Sequence, residues 1–427
     1  MSVRYERISS EVFSQNRRRY LDRMPEGSVS VFAANDLLPA NADGTFGFIQ
    51  NSTFFYLTGV DQEEACLILV KGGGEWLFVK ETSELIRIWD GDKLSQEEAR
   101  AVSGIEQVHW LQDFRKVLNT CLEGKEEMYL HRDTTQQHRF RSFRSKEKWL
   151  TGQLQEEYPL IEIRNPEKII NQLRLFKGEG ELAPLRKAID ITRKGLLRAA
   201  RFVQPGKYEF EVEAEITHEF MMNRSRFHAF LPIVASGANA CVLHYVDNNR
   251  RCEDGDLLLL DFGAEYGNYK ADMTRVLPVN GKFTDRQAEV YSSVLHIMKT
   301  LKALMVNGNT VINLKQEALD LTGKEMVKLG LVSAADLENN PGIVNKYLPH
   351  GVSHSLGIDV HDVGDRSTPF APGMVLTLEP GIYIREEGIG IRLENDILIT
   401  ASGNEDLMAH VPLEIEEIER AMRSQLP

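Results

Sequence analysis

The stretch LLLLDFGAEYGNYKADMTRV, residues 257–276, decides how this chain is to be read. Leu257 to Leu260 form an apolar run suited to a buried strand, and the run ends on a carboxylate, Asp261. A turn centred on Tyr266 and Gly267 places Asp261 directly opposite Asp272 on the returning strand. Opposed residues on one face of a hairpin have Cβ atoms about 5 Å apart. Two carboxylates that close repel each other unless a cation lies between them or a proton is shared.

The arrangement recurs further along. Met374 to Ile384 reads as one strand and Ile389 to Ile399 as its partner, joined by Arg385-Glu386-Glu387-Gly388. A turn centred between Glu386 and Glu387 sets Glu379 opposite Glu394, and strand alternation turns Arg392 to the face of Glu394. Between the two hairpins lies HGVSHSLGIDVHDVG, residues 350–364, which carries His350, His354 and His361 in a chain with only 11 histidines. Two facing acid pairs with histidines between them are the composition of a two-metal site. The alternative, a set of buried ion pairs, has one candidate cation, Arg392, for four acids.

Four strings resemble the signatures of the metallopeptidases with the pita-bread fold, in their aminopeptidase P and prolidase branch: LLLLDFGAEYGNYKADMTRVLPVNGKFT (257–284), HGVSHSLGIDVHDVG (350–364), VLTLEPGIY (375–383) and GIRLENDILIT (390–400). Upstream, NSTFFYLTGVDQEEACLILV (51–70) resembles the amino-terminal domain of aminopeptidase P. The resemblance spans nearly the whole chain. It implies Asp261, Asp272, His354, Glu379 and Glu394 as ligands of two divalent ions. Carboxylates and one imidazole are mostly hard donors, which suit Mn²⁺ or Co²⁺ and accept Zn²⁺, and the lack of thiolates argues against a structural zinc. Such ions lower the pKa of a water so that a nucleophile exists near neutral pH.

The same resemblance implies that Glu379 also takes a proton from the attacking water and that His361 steadies the carbonyl oxygen. His244 in CVLHY, His350 and Arg392 match positions near the substrate, the histidines to move protons or orient the peptide, Arg392 to orient or neutralise a bridging carboxylate. Trp89, in IRIWDGDKL, matches an aromatic that reaches a neighbouring subunit's pocket, which implies a dimer or tetramer. Ser355 departs from the pattern, standing where an aromatic is common, and so points to an altered pocket wall. The expected substrate is a peptide with proline second, cut after its first residue; the runner-up is a prolidase that accepts only Xaa-Pro dipeptides. An inactive binding protein on this fold, or a metal-free creatinase-type hydrolase, fits less well with five ligand positions intact.

Composition agrees. At 427 residues the chain is long enough for two domains, and 26% charged with 42% hydrophobic residues is ordinary for a soluble globular protein. A net charge of −13 opposes binding to a phosphate backbone. The start has no signal-peptide core and no segment reaches membrane-spanning length, so neither nucleic acid nor membrane is an expected partner. Cys66, Cys121, Cys241 and Cys252 form no CxxC pair, and the simple reading is a reduced cytoplasmic protein.

Along the chain we expect an opening helix over 5–24, with Arg17-Arg18-Arg19 on a solvated face. A strand at 27–34 and a hairpin around Gly72-Gly73-Gly74 follow; the triple glycine lacks a Walker lysine and reads as a turn. Ser95 with Glu98 caps a helix, and 108–111 and 128–131 read as short strands. Residues 132–149 mix basic and aromatic side chains in a pattern that suits an amphipathic helix. This mixed α/β unit, 1–169, precedes a second domain, 170–427. There, two helices and then a hairpin occur twice, each half contributing one acid pair, so that the fold class is α/β (α+β) with a pseudo-twofold repeat, the form that the pita-bread resemblance implies.

Overall fold

The structure is a computed structural model that describes residues 4–134 and 145–423. It divides into two units, the first ending at Arg174 and the second starting at Leu175.

In the first unit, six strands form a mixed sheet: β1 (Val29–Ala33), β2 (Cys66–Val70), β3 (Gly74–Val79), β4 (Gln107–Trp110), β5 (Glu127–Leu130) and β6 (Glu162–Arg164), ordered β4-β3-β2-β1-β5-β6. Gly72, at φ 73°, and Gly73 lie in the β2–β3 turn, and Gly74 opens β3 opposite Val70. Val31, Ile68, Phe78, Leu118, Met128 and Leu154 build the core on one face of the sheet. Helices α1 (Ser10–Leu21), α2 (Ser52–Thr58), α3 (Glu84–Trp89), α4 (Gln96–Ser103), α5 (Phe114–Leu122), α6 (Lys146–Glu157) and α7 (Glu167–Arg174) complete the unit. The Ser95/Glu98 capping box is formed at the start of α4.

The opening arginines are not a solvated face throughout. Arg17 is 1% exposed; Nε donates to Glu75 at 2.7 Å, and Nη1 donates to the carbonyls of Leu57 and Ser103. Three acceptors from distant chain segments make that burial tolerable, a pairing that no local pattern announces. Of the basic and aromatic stretch 132–149, residues 135–144 lie outside the described residues; from Lys146 it is helical.

The second unit repeats one order of elements. Helices α8 (Glu179–Phe202) and α9 (Glu209–Met222) precede a sheet ordered β11-β8-β7, made of β7 (Ile233–Ser236), β8 (Leu257–Phe262) and β11 (Met273–Pro278). The short strands β9 (Glu265–Tyr266) and β10 (Tyr269–Lys270) extend the β8–β11 hairpin to its tip. Helices α10 (Asp285–Leu304) and α11 (Val311–Lys328) follow, and after a short helix, α12 (Ala334–Asn339), comes the second sheet, β12 (Val375–Leu378), β15 (Asn395–Thr400) and β16 (Gly403–Asp406), ordered β12-β15-β16. Strands β13 (Gly381–Ile384) and β14 (Ile389–Arg392) pair beyond it, and α13 (Ile415–Met422) closes the unit. No helix among the described residues is long and apolar enough to cross a membrane.

The two hairpins differ in how closely they match expectation. Leu378↔Asn395 on one side and Gly381↔Arg392 on the other carry the register through Glu379 opposite Glu394, as expected. The first hairpin turns one residue later than expected, between Gly267 and Asn268, at φ 59° and 65°. Both are left-handed, as the tight hairpin turn requires, and Gly-Asn serves that turn better than Tyr-Gly. Asp261 therefore faces Thr274, with Asp272 diagonal to it. A slip of two preserves side-chain parity, so both acids still share one face.

Candidate metal centre

The second sheet breaks its ladder where its acids stand, whereas Asp261 stays within the β8 ladder, paired with Thr274 and Ile233. The strands expected as continuous over 374–384 and 389–399 are interrupted at Glu379-Pro380 and Leu393-Glu394. Pro380 has no N–H to give, and the freed groups find other partners. The amide of Glu394 donates to the carbonyl of Thr274, and that of Glu379 to Val352. The first bond joins the two halves; the second binds the histidine segment to β12. Residues 352–356 lie along β12, with the His354 amide donating to Thr377 Oγ1 and Leu356 to the carbonyl of Val375.

These bonds bring Asp272, His354 and Glu394 together, one donor atom from each within 4.8 Å of the others. His354 Nε2 is 3.5 Å from Asp272 Oδ2 and 3.7 Å from Glu379 Oε1. Its Nδ1 donates to the carbonyl of Ser355 at 3.1 Å, which turns Nε2 towards the acids. Asp261 is not in the group of three. It lines the same cavity, as do Glu379, His244, His350, His361 and Arg392, and its Oδ2 accepts from Arg392 Nη2 at 2.5 Å.

Burial, followed by the charges of Asp261, Asp396 and Glu379, holds the Asp272 carboxyl well above the usual range. Burial, then Asp272 and Glu379, does the same for Glu394, and burial raises Glu379. Asp261 Oδ1 is buried with no hydrogen-bond partner. Acids arranged in this way favour a proton or a cation, and the oxygen and imidazole donor set fits hard divalent ions.

Around this group runs a hydrogen-bonded chain. Arg392 Nη2 donates to Asp261, while its charge partly offsets the rise of the Glu394 carboxyl that it was expected to orient or neutralise; its Nη1 donates to the Tyr383 hydroxyl at 2.6 Å and its Nε to Thr274 Oγ1 at 3.2 Å. The Tyr383 oxygen is 2.8 Å from His350 Nε2, and His350 Nδ1 faces the Gly351 carbonyl. Burial, then the Arg392 charge, pushes the His350 imidazole down to about 3, so it is neutral and takes the Tyr383 proton as acceptor. The His361 ring meets that of His354 edge-on at 4.3 Å between centroids. Beside it, Asp362 pairs with Lys177 at 3.0 Å, each side chain 1% exposed, which pins the loop carrying His361.

Four contributors were missed: Thr274, Thr377, Tyr383 and Asp396. Thr274 Oγ1 donates to Glu394 Oε2 at 2.7 Å, and Asp396 Oδ2 accepts the Asp272 amide at 3.3 Å. Each stands two or four residues from an acid on the same strand face, so alternation alone could have found them. Ser355 does not line the cavity; its Oγ lies beside Gly364 on the opposite side of the strand from His354. Trp89 lies in the other unit, on α3, and is 78% exposed.

Residues 183–401 match the model of metallopeptidase family M24, and residues 13–131 that of the aminopeptidase P N-terminal domain. The chain belongs to metallopeptidase family M24. Xaa-Pro aminopeptidase of Escherichia coli is 35% identical, the match covering 97% of this M24 chain and 98% of that protein. Xaa-Pro aminopeptidase 3 of Homo sapiens is 31% identical, over 91% of this chain and 80% of that one. Zinc-substituted E. coli aminopeptidase P in complex with product superposes with TM-score 0.88 at 33% identity, over 99% of this chain and 100% of that one. The M24 domain of this chain thus has the pita-bread form, with the helix-helix-hairpin order repeated.

Proposed function

We propose that this M24 metallopeptidase is a Xaa-Pro aminopeptidase, removing the first residue from peptides with proline second. The carrying observation is the convergence of Asp272, His354 and Glu394 in a cavity that Asp261 and Glu379 also line. The match to the aminopeptidase P N-terminal domain favours this over a prolidase. In this reading, residues 1–169 form that domain and 170–427 the catalytic one.

Asp261, Asp272, His354, Glu379 and Glu394 would hold two divalent ions, Mn²⁺ first, with Co²⁺ or Zn²⁺ accepted. The ions supply Lewis acidity that makes a water nucleophilic near neutral pH. Glu379 takes the proton of that water, a role that suits a carboxylate with 18% of its side chain exposed at the cavity. His361 stands where a carbonyl oxygen gains charge and donates to it. His350 and His244 orient the peptide, and the proton that Glu379 takes from the water passes on to the departing proline nitrogen, so that the secondary amine leaves neutral. Arg392 keeps Asp261 aimed, its Nη2 donating to Oδ2.

Trp89 and Ile88, 78% and 72% exposed, support a further reading in which α3 meets a second subunit in a dimer or tetramer. Free thiols at Cys66, Cys121, Cys241 and Cys252 support a cytoplasmic setting. The test is direct. Chelator-treated protein should be inactive and regain cleavage of Xaa-Pro-Yaa with Mn²⁺; cleavage of Xaa-Pro dipeptides alone would establish the prolidase instead, and no stoichiometric uptake of metal would end both.

A further inference from the structure

Glu209 opens α9 with its side chain wholly buried. Its carboxylate accepts five hydrogen bonds. To Oε1 donate the Ser236 amide at 2.6 Å, the Ser236 hydroxyl at 2.7 Å and Asn239 Nδ2 at 3.3 Å. To Oε2 donate the Tyr245 hydroxyl and the Arg250 amide, both at 2.7 Å. Two of the donors come from Ser236, the last residue of β7, and three from the connection between β7 and β8; none comes from the helix that carries Glu209. Arg250 closes the loop on itself, Nη1 donating to the Ser236 carbonyl at 2.6 Å. Five donors converge on one buried side chain, and each would be left unpaired without it, so this group is a substantial fastening.

The other side of the same connection is a cavity wall: Leu243, His244 and Val246 stand among the lining residues with Asp272, His354 and Glu394. His244 makes no side-chain hydrogen bond among the described residues, so its placement comes through the backbone it stands on. The residue next to it, Tyr245, is one of the five donors.

We infer that Glu209 is a positioning residue: it latches residues 236–250 so that His244, with Leu243 and Val246 on either side, is held over the metal centre. The inference rests on the aminopeptidase reading for its activity arm. It differs from a packing role because the latch acts on one segment and through one histidine.

The test compares wild type, Glu209→Gln, His244→Ala and the double variant on Xaa-Pro-Yaa peptides, with metal content measured and amide exchange followed over 236–250. Glu209→Gln keeps the volume and loses acceptors. We expect full metal content, kcat/KM lower by about 10-fold or more, and a double variant no slower than His244→Ala, since residues acting as a unit are not additive. Amides of 236–250 should exchange at least about 10-fold faster while β8 and β11 keep their protection. Losses that multiply in the double variant, or unchanged exchange over 236–250, would overturn the inference. An inactive wild type would sink only the aminopeptidase reading, since the exchange arm still judges the latch. Should Glu209→Gln fail to fold, Tyr245→Phe, which removes one bond of the five, takes its place with the same outcomes at about 3-fold.

Discussion

Arg392 Nη2 donates to Asp261 Oδ2 at 2.5 Å across the two halves of the catalytic unit, with Arg392 on β14 and Asp261 on β8. The arginine is 4% exposed and the aspartate 8%. Removing one partner of a buried pair strands the other charge, at about 3–5 kcal/mol. Arg392→Leu should therefore lose that much by urea unfolding, and Asp261→Asn in the same background should recover much of it. Arg392→Lys keeps a charge but cannot span Asp261, Tyr383 and Thr274 together, and a smaller loss is expected. Equal midpoints for wild type and Arg392→Leu would show that the pair does not join the halves.

Metal removal should lower Tm, because ligands that bind only the folded state stabilise it by mass action. The crowding of Asp272 by Asp261, Asp396 and Glu379 adds a sharper expectation. In chelator, Asp272→Asn removes one of the repelling charges and should melt no lower than chelated wild type, whereas with Mn²⁺ present wild type should be the more stable. Calorimetry of both proteins in both states decides this; a chelated variant that melts well below chelated wild type would show that repulsion is not what the ions relieve.

How much of this was legible beforehand follows from which contacts are periodic. The Glu379/Glu394 register, the histidine segment and the doubled helix-helix-hairpin order were readable because alternation and turn centres fix them locally. The Asp261/Asp272 register was read two residues out, since choosing Tyr266-Gly267 over Gly267-Asn268 as the turn needed the left-handed backbone of Asn268. Arg392 was assigned the right face and a neighbouring charge in Glu394, but its hydrogen bond to Asp261 was not foreseen, because Glu394 is near in sequence and Asp261 only in space. The burial of Arg17 and the five-donor latch on Glu209 depend on segments far apart in the chain, and no short-range pattern encodes them.

Gly263 sits between Asp261 and the hairpin tip, where a Cβ would come within 1.7 Å of the Ala271 carbonyl oxygen. That neighbour is backbone and cannot swing aside. Gly263→Ala should force the hairpin apart, cost at least about 3 kcal/mol and weaken metal binding, because Asp272 follows the displaced Ala271. Urea midpoint and metal stoichiometry measured together check it, and a fully loaded, equally stable variant would refute it.

His228 provides a pH dependence separate from the metal ligands. Its Nε2 is 2.8 Å from Thr217 Oγ1, its ring lies against Phe220, and its Nδ1 is buried without a hydrogen-bond partner. Burial pushes its imidazole down to about 4 from an ordinary value of 6.5. Between those two values the unfolded chain binds the proton and the folded one does not, so stability rises with pH through the window and falls as pH drops from 6.5 towards 4. The full shift corresponds to roughly 3 kcal/mol. His228→Gln, which carries no titrating group, should flatten the urea midpoint over that range relative to wild type; parallel curves for the two proteins would assign the acid sensitivity to other groups.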